Sequence, residues 1–560
     1  MDASTDDLID LGYRAEDMSR QELERCTILT AREQTLLRKL KSPGQRLLIG
    51  PRGSGKSTYL RLARYALIDE GSALPIYVNY AKSLSLEPEL RRDPSALAFF
   101  RQWVLALILR GLDETRSVLK TSISEHQTER LELATAVASA VERRRADQAP
   151  ASDFTLTEVL DLLEEVCELS GRRRVVLLLD DAAHAFSPEQ QREFFEIFGS
   201  LRSRVVSAKA AVYPGVTTYT PRFQVGHDVQ VSDVWLDPSD PDFLEMMRDA
   251  CEKRLDPEAM SRLRARRGAL EYLALASFGL PRNFLGMVSQ FLEEDDGSSL
   301  KNTTQLCDSA VEDSAAATIK VFLSLEEKLP RYKNFVAVGS DLVGASVEAI
   351  NTYNAKRTGQ TKVVSVLLQE PLPSEIDRIL GLLEYAGVVR RSNTLSMGPK
   401  SFRQVVIHYS LLLSAGALAL GRNPSVELAI QGLTRRDSST ARVRRTLSSL
   451  LGKDFLSRCK LNMAACQRCG TPREIPEARF CSHCGAPLSE ASIYEELLSA
   501  SIEKLPISQK QLDRVIAAGQ INTVQDILTD EENMKLLAAD YIGPKRALQI
   551  KAIAEEFIYE

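Results

Sequence analysis

Apolar and polar positions follow more than one period along this chain. Leu47, Leu48 and Ile49 stand together within residues 45–50, a run suited to a short buried strand. A glycine-rich turn follows, and residues 57–66 then take helical spacing. Residues 74–80 predict a second strand. Residues 175–179 are five apolar side chains in succession, as expected of a central parallel strand buried on both faces. Residues 205–213 contain a further strand. Between these runs, residues 96–142 read as amphipathic helix, which breaks at Ala149-Pro150-Ala151-Ser152. Residues 155–169 bring Val159, Leu162, Leu163 and Val166 onto one helical face. Strands alternating with helices imply a parallel sheet flanked by helices over roughly residues 40–235.

The periodicity then changes. Thr30-Ala31-Arg32-Glu33 opens a helix ahead of the first strand, and residues 241–294 are helical throughout. Residues 310–420 form a mostly helical module. In it Ser374 is the expected N-cap of a helix over residues 375–385, Gly387 ends that helix, and residues 388–391 with 394–397 predict a small hairpin. Helix followed by hairpin at this size is winged-helix-like. The expected fold is therefore multidomain α/β: an N-terminal helical segment (1–40), a parallel-sheet core (41–235), a helical lid (236–305), a winged-helix-like module (306–425), a helical linker (426–462), a cysteine module (463–488) and a small all-α domain (489–560).

Composition narrows the class. The chain has 560 residues, 44% apolar and 26% charged, ordinary values for globular protein with several cores. A net charge of −5 gives no bulk attraction to nucleic acid, so any such contact must be local. The start is acidic (Asp2, Asp6, Asp7, Asp10), unlike a signal peptide, and the apolar stretch at 411–420 falls short of the about 20 residues a membrane span needs. A cytoplasmic location without membrane contact is the expectation. Cys26, Cys167, Cys251, Cys307 and Cys459 are expected to be small buried residues.

The chemistry is concentrated in three places. Gly50-Pro51-Arg52-Gly53-Ser54-Gly55-Lys56-Ser57 fits the P-loop pattern, with Thr58 next in the helix. Its glycines let backbone N–H groups face phosphates, Lys56 supplies a charge for the β- and γ-phosphates, and Ser57 a hydroxyl ligand for Mg²⁺. ATP is the expected ligand. Asp180, ending the apolar run, would hold Mg²⁺ through water, and Asp181 would orient or deprotonate the attacking water. An aspartate there reaches about one methylene less far than a glutamate, so slow hydrolysis is expected. Tyr213 and Thr217 lie where a γ-phosphate sensor is expected. Arg282, in Gly279-Leu280-Pro281-Arg282, is placed to fold over the nucleotide. Arg172, Arg173 and Arg174 are expected to face solvent. His184 follows the acidic pair and is more readily a structural histidine than a site residue.

Cys466-x-x-Cys469 and Cys481-x-x-Cys484, each followed by glycine, have the spacing of two knuckles that hold Zn²⁺ through four thiolates. Four protein ligands make such a site structural, with His483 exposed and outside it. Arg468, Arg473 and Arg479 give the ribbon a basic face, which leaves nucleic-acid contact and protein docking both open. Near the C-terminus, residues 512–518 and 523–528 read as a helical pair, and residues 542–547 as a turn before a helix over 550–558.

Three resemblances follow from these motifs. The P-loop, the apolar strand ending Asp180-Asp181, the Gly-Leu-Pro-Arg of the lid and the winged-helix-like module together resemble AAA+ and STAND ATPases. Within that class the likeness is to ATPases of the origin-recognition-complex type, a group that Ile28-Leu29-Thr30-Ala31-Arg32-Glu33 also resembles. The cysteine module resembles a zinc ribbon. Ile542-Gly543-Pro544-Lys545-Arg546-Ala547 resembles the hairpin of helix-hairpin-helix domains, which implies DNA contact through Gly543, Lys545 and Arg546, although the domain is acidic overall. The resemblances imply an ATP-binding and ATP-hydrolysing switch whose nucleotide state governs assembly and DNA binding, with a homo-oligomer or a protein partner. The alternative is a STAND-type signalling or anti-phage defence scaffold that oligomerises with a protein partner. Arg202, Arg204 and Arg222 are arginine-finger candidates by position.

Overall fold

The computed structural model describes residues 14–86, 96–142, 148–182, 188–220, 223–295, 301–356, 362–418, 425–434, 442–473, 475, 478, 480–488 and 492–559. Of the residues singled out above, Asp2, Asp6, Asp7, Asp10, His184, Arg222 and Arg479 lie outside that set.

The first sheet consists of β1 (Arg46–Ile49), β2 (Leu74–Asn79), β3 (Val175–Asp180), β4 (Val206–Val212) and β5 (Gln230–Asp233), in the order β2-β3-β4-β1-β5. Every pair is parallel. The unbroken apolar run of β3 is explained by its two-sided burial. Val175, Leu177 and Leu179 face a core shared with the helix Ala96–Leu119, while Val176 and Leu178 face the helix Lys56–Glu70. The edge strand β5 escapes sequence reading because Gln230-Val231-Ser232-Asp233 is largely exposed and carries little apolar pattern.

A separate core of Phe284, Phe291, Leu273 and Met247 holds the helices Phe243–Arg254, Pro257–Ala265, Ala269–Ala276 and Pro281–Glu294. Two long helices, Thr303–Leu323 and Lys333–Ala355, lead to a second sheet ordered β7-β8-β6-β9. Its strands are β6 (Ser365–Gln369), β7 (Val389–Met397), β8 (Lys400–Ile407) and β9 (Val443–Arg445). The helix Ser374–Tyr385 sits between β6 and the β7–β8 hairpin, a winged-helix-like arrangement. Three expectations change here. Residues 388–391 and 394–397 do not pair with each other: from Val389 on they belong to one strand, β7, whose register slips between Arg391 and Thr394 and which pairs with β8. Ser374 is the first helical residue, and Pro373 takes the cap position. Strands β6 and β9 appear in what reads as helical sequence.

The C-terminal helices Ile493–Leu498, Gln509–Ala517, Val524–Leu528, Met534–Leu537 and Pro544–Tyr559 enclose Leu497, Leu505, Val524, Leu536, Ile550 and Phe557. The last helix begins at Pro544, earlier than the sequence suggests, because proline at the first helical position gives up only an N–H that would be unpaired anyway. Cys26, Cys167, Cys251, Cys307 and Cys459 are buried thiols, as expected. Arg172 and Arg174 do not face solvent. Arg172 donates to the carbonyls of Leu67, Ile68 and Ala73, and Arg174 donates to that of Lys41, so both satisfy helix-end and loop carbonyls behind the sheet. Among the described residues no helix is long and apolar enough to cross a membrane.

One buried group sets a pH dependence. His408, between β8 and the helix Tyr409–Ser414, is fully buried, and its Nδ1 accepts from the Ser410 N–H at 3.2 Å. Burial pushes its pKa down to about 3. The unfolded chain therefore binds the proton first, and this histidine's contribution to stability falls as pH drops from about 6.5 towards 3, by at most about 1.4 kcal/mol per pH unit. Thermal melts at pH 7 and pH 5 should show a larger drop for wild type than for His408→Asn, whose amide oxygen can accept the same N–H. Equal drops would contradict this.

Candidate functional site

The P-loop leaves the carboxyl end of β1, and Asp180 leaves the carboxyl end of β3, so both reach the edge of the sheet where α/β folds gather their ligands. Gly53 and Gly55 have φ of +77° and +90°, conformations that a side chain would strain. They turn the chain so that the helix Lys56–Glu70 starts with its N-terminus at the loop. Ser54 closes the loop with a 2.8 Å bond from its hydroxyl to the Pro51 carbonyl. The Lys56 ammonium is buried. It donates at 3.0 Å to the carbonyls of Gly50 and Pro51, and it lies 3.6 Å from the centre of the Tyr213 ring.

The two aspartates are buried beside it. Asp180 accepts from the Tyr77 hydroxyl at 2.7 Å and also interacts with the Ser57 hydroxyl. Burial, reinforced by the charges of Asp181 and Glu16, holds its carboxyl well above the usual range. Ser57 and Asp180 thus form a hydroxyl–carboxylate pair of the type that hard divalent cations use, and they fit Mg²⁺. Asp181 has φ of +51°, rare for a residue with a side chain, and its carboxylate accepts from the Tyr213 hydroxyl at 3.2 Å. Of the two sensor candidates, Tyr213 faces the site. Thr217 spends its hydroxyl within its own turn, on the Tyr213 carbonyl at 2.7 Å. Arg282, second residue of the helix Pro281–Glu294, lies against the loop: a Cβ on Gly53 would stand 3.0 Å from that of Arg282. Arg202 and Arg204 are exposed, just ahead of β4 and hence at the opposite edge of the sheet from the P-loop.

Sequence reading missed the groups that reach this site from distant parts of the chain. Tyr385, at the end of the winged-helix-like module's helix, accepts the Arg52 N–H at 3.3 Å and sets its ring edge-on to Tyr213 at 5.3 Å. Gly215 and Gly381 touch backbone to backbone, and Arg378 donates to the Gly215 carbonyl at 2.9 Å. From the C-terminal helix, Glu556 pairs with Arg52 at 2.8 Å and with Arg282 at 3.0 Å. None of these contacts has a local motif; only the fold juxtaposes them.

The four cysteines of the ribbon also converge. Their sulfurs lie within 4.8 Å of one another, with Cys466–Cys484 and Cys469–Cys481 both at 3.6 Å. A tetrahedron with Zn–S near 2.3 Å has S–S edges of about 3.8 Å, so the cluster is compatible with Zn²⁺. The Thr471 hydroxyl and backbone, the main cause, draw the Cys469 thiol down to about 6, and the backbone N–H groups of Cys484 and His483 lower Cys481. These shifts favour thiolates at Cys469 and Cys481, whereas at Cys484 the lowering by the Ala486 backbone is outweighed by the neighbouring sulfurs and the thiol is pushed up. His483 is exposed and outside the cluster. Arg468 is exposed, whereas Arg473 turns back to the Ile475 carbonyl. Gly543, just before the last helix, and Lys545 within it are half-buried, and Arg546 pairs with Glu293 of the lid at 3.0 Å. Its hairpin is therefore turned toward the lid.

The sheet order, the P-loop at the end of β1 and the acidic pair at the end of β3 define a multidomain chain with a P-loop ATPase fold. No family model matches the chain, and no curated protein does. Among solved structures it is similar to the crystal structure of Cdc6p from Pyrobaculum aerophilum, at 15% identity over 75% of this chain and 98% of that chain, with a TM-score of 0.29. A superposition at that score transfers no residue roles, and the fold stands on the sheet and the loop alone.

The glycine contact gives a direct test of how the winged-helix-like module meets the site. A Cβ on Gly215, where φ is +74°, would stand 2.0 Å from the Gly381 carbonyl carbon. Gly215→Ala should cost about 2–4 kcal/mol from overlap and strain together. It should lower the melting temperature by several degrees, whereas an unchanged melt would contradict the contact.

Proposed function

We propose that this chain is an ATP-binding switch whose nucleotide state sets the arrangement of its modules and, through them, assembly and DNA binding. The observation that carries the reading is the packing of the helix Ser374–Tyr385 directly on the P-loop and on the Tyr213–Gly215 turn. An element that touches a phosphate loop and belongs to a neighbouring module can link the two, provided the ligand binds one arrangement better than the other. In this reading the loop from Gly50 to Thr58 and Lys56 bind the phosphates, Ser57 and Asp180 hold Mg²⁺, and Arg282 reports the lid position. Asp181, oriented by Tyr213, takes the proton of the attacking water. The ion, when bound, offsets charge on the transferred phosphoryl group. Hydrolysis is slow because the Asp181 side chain is short and bonded to Tyr213. Zn²⁺ on Cys466, Cys469, Cys481 and Cys484 is structural. The exposed Arg468, the winged-helix-like hairpin and the turn Gly543–Arg546 are separate weak DNA contacts that act together once linked.

The alternative is a signalling or defence scaffold of STAND type. The module packing favours it equally, and the pairing of Arg546 with Glu293 favours it over DNA contact by that hairpin. Fluorescence anisotropy on duplex DNA at low salt separates the two. The switch reading expects binding that tightens with ATP, weakens steeply with salt and loses its ATP response in Lys56→Ala. No binding in any nucleotide state would discard the DNA role and leave the scaffold.

The metal assignment has its own check. Purified wild type should carry about one equivalent of zinc per chain, and Cys481→Ser should lose most of it. Cys459→Ser, which alters a buried thiol outside the cluster, should keep it. Equal zinc in all three would contradict the site.

A further inference from the structure

The charge on the P-loop side of the site is balanced by the other end of the chain. The carboxylate of Glu556 is almost fully buried, at 8% exposure, and it faces three arginines. One oxygen pairs with Arg52 of the P-loop at 2.8 Å. The other pairs with Arg282 of the lid at 3.0 Å and with Arg14 at 3.5 Å. These contacts are long-range: Arg52 and Glu556 are 504 residues apart in sequence.

The helix Pro544–Tyr559 that presents Glu556 is fastened along its length. Arg546 in its first turn pairs with Glu293 of the lid at 3.0 Å. Near its end Arg14 bonds to the Ala552 carbonyl at 2.7 Å and to Glu555 at 2.8 Å. Phe557 packs beneath the ammonium of the buried Lys328, 5.5 Å from the ring centre. One helix thus ties together the lid, the P-loop, the N-terminal segment at Arg14 and the winged-helix-like module at Lys328.

The loop's own donors match this arrangement. Arg52 gives its N–H to Tyr385, and Lys56 gives its ammonium to loop carbonyls. In the nucleotide reading, a polyphosphate on this loop draws on those donors and on the guanidinium groups of Arg52 and Arg282 that Glu556 faces. An anionic ligand and the Glu556 carboxylate therefore draw on the same positive groups, and a second anion among them is repelled.

We propose that the C-terminal helix is an autoinhibitory strap, with Glu556 competing with the phosphates of the nucleotide for Arg52 and Arg282, so that Mg·ATP binding and release of the helix are linked. The inference rests on the nucleotide reading above and adds to it which element the nucleotide displaces. An affinity measured on the full chain is the intrinsic affinity reduced by the fraction of molecules with the strap open.

The test is a titration of the full-length chain with a fluorescent ATP analogue and Mg²⁺, for wild type, Glu556→Gln, Arg14→Ala and Lys56→Ala. If the strap is open in about a tenth of wild-type molecules, Glu556→Gln binds about tenfold more tightly. Arg14→Ala loosens the strap without altering the phosphate loop and should also tighten binding. Hydrogen exchange without nucleotide should be faster over residues 544–559 in both variants, with the P-loop helix unchanged, which shows that the fold is retained. Lys56-dependent binding in wild type, with equal or weaker affinity in Glu556→Gln, would overturn the strap and leave the nucleotide reading standing. Binding that ignores Lys56→Ala, or no binding in any of the four, would remove the nucleotide reading and the strap with it.

Discussion

Positive charge gathered in one place needs a counter-charge, and the arrangement around the buried Glu556 carboxylate depends on that requirement. Arg52 and Arg282 come from the P-loop and the lid, Arg14 comes from the N-terminal segment, and all three converge on one carboxylate of low exposure. Desolvated ions are tolerated only when paired and hydrogen-bonded. Removing Glu556 would withdraw the carboxylate that the three guanidinium groups share, although Arg14 would keep its pair with Glu555 at 2.8 Å. Through this one carboxylate the helix at the end of the chain is bound to the loop near its start, and the lid is held between them. A charge cluster of this kind is well suited to switching, because another anion of higher charge can replace the carboxylate.

The site has a second layer of coupling that uses shape. Gly215 and Gly381 let two backbones approach where any side chain would collide, and Tyr213, whose ring lies against Lys56, meets Tyr385 edge to face. The winged-helix-like module therefore meets the sheet at the turn after β4. Charge fixes the C-terminal helix and close packing fixes the winged-helix-like module, and both act on the same loop.

What the sequence disclosed and what it withheld divide along a physical line. The P-loop, the β3 run ending in Asp180 and Asp181, and the two Cys-x-x-Cys pairs are local patterns, in which the residues that act together lie within a few positions of one another or end one buried strand. They were legible because backbone geometry forces their spacing. Strand β5 was not legible, since an exposed edge strand carries no apolar alternation. The hairpin was placed one strand too early because the register slip in β7 at Ser392 and Asn393 imitates a turn. Charge alone points Arg172 and Arg174 to solvent, whereas carbonyl ends behind the sheet recruit them. Glu556, Tyr385 and Arg14 carry no signal at all: a glutamate in an acidic C-terminal domain looks like a solvated face until the fold brings it to the P-loop.

The central claim is that the P-loop and the C-terminal helix exchange partners when nucleotide binds. Hydrogen-exchange mass spectrometry on the full-length wild type, with and without saturating Mg·ATP, tests this in one experiment. The account predicts slower exchange over residues 50–58 together with faster exchange over residues 544–559. Slower exchange in the loop with the C-terminal helix unchanged, or more protected, would contradict it.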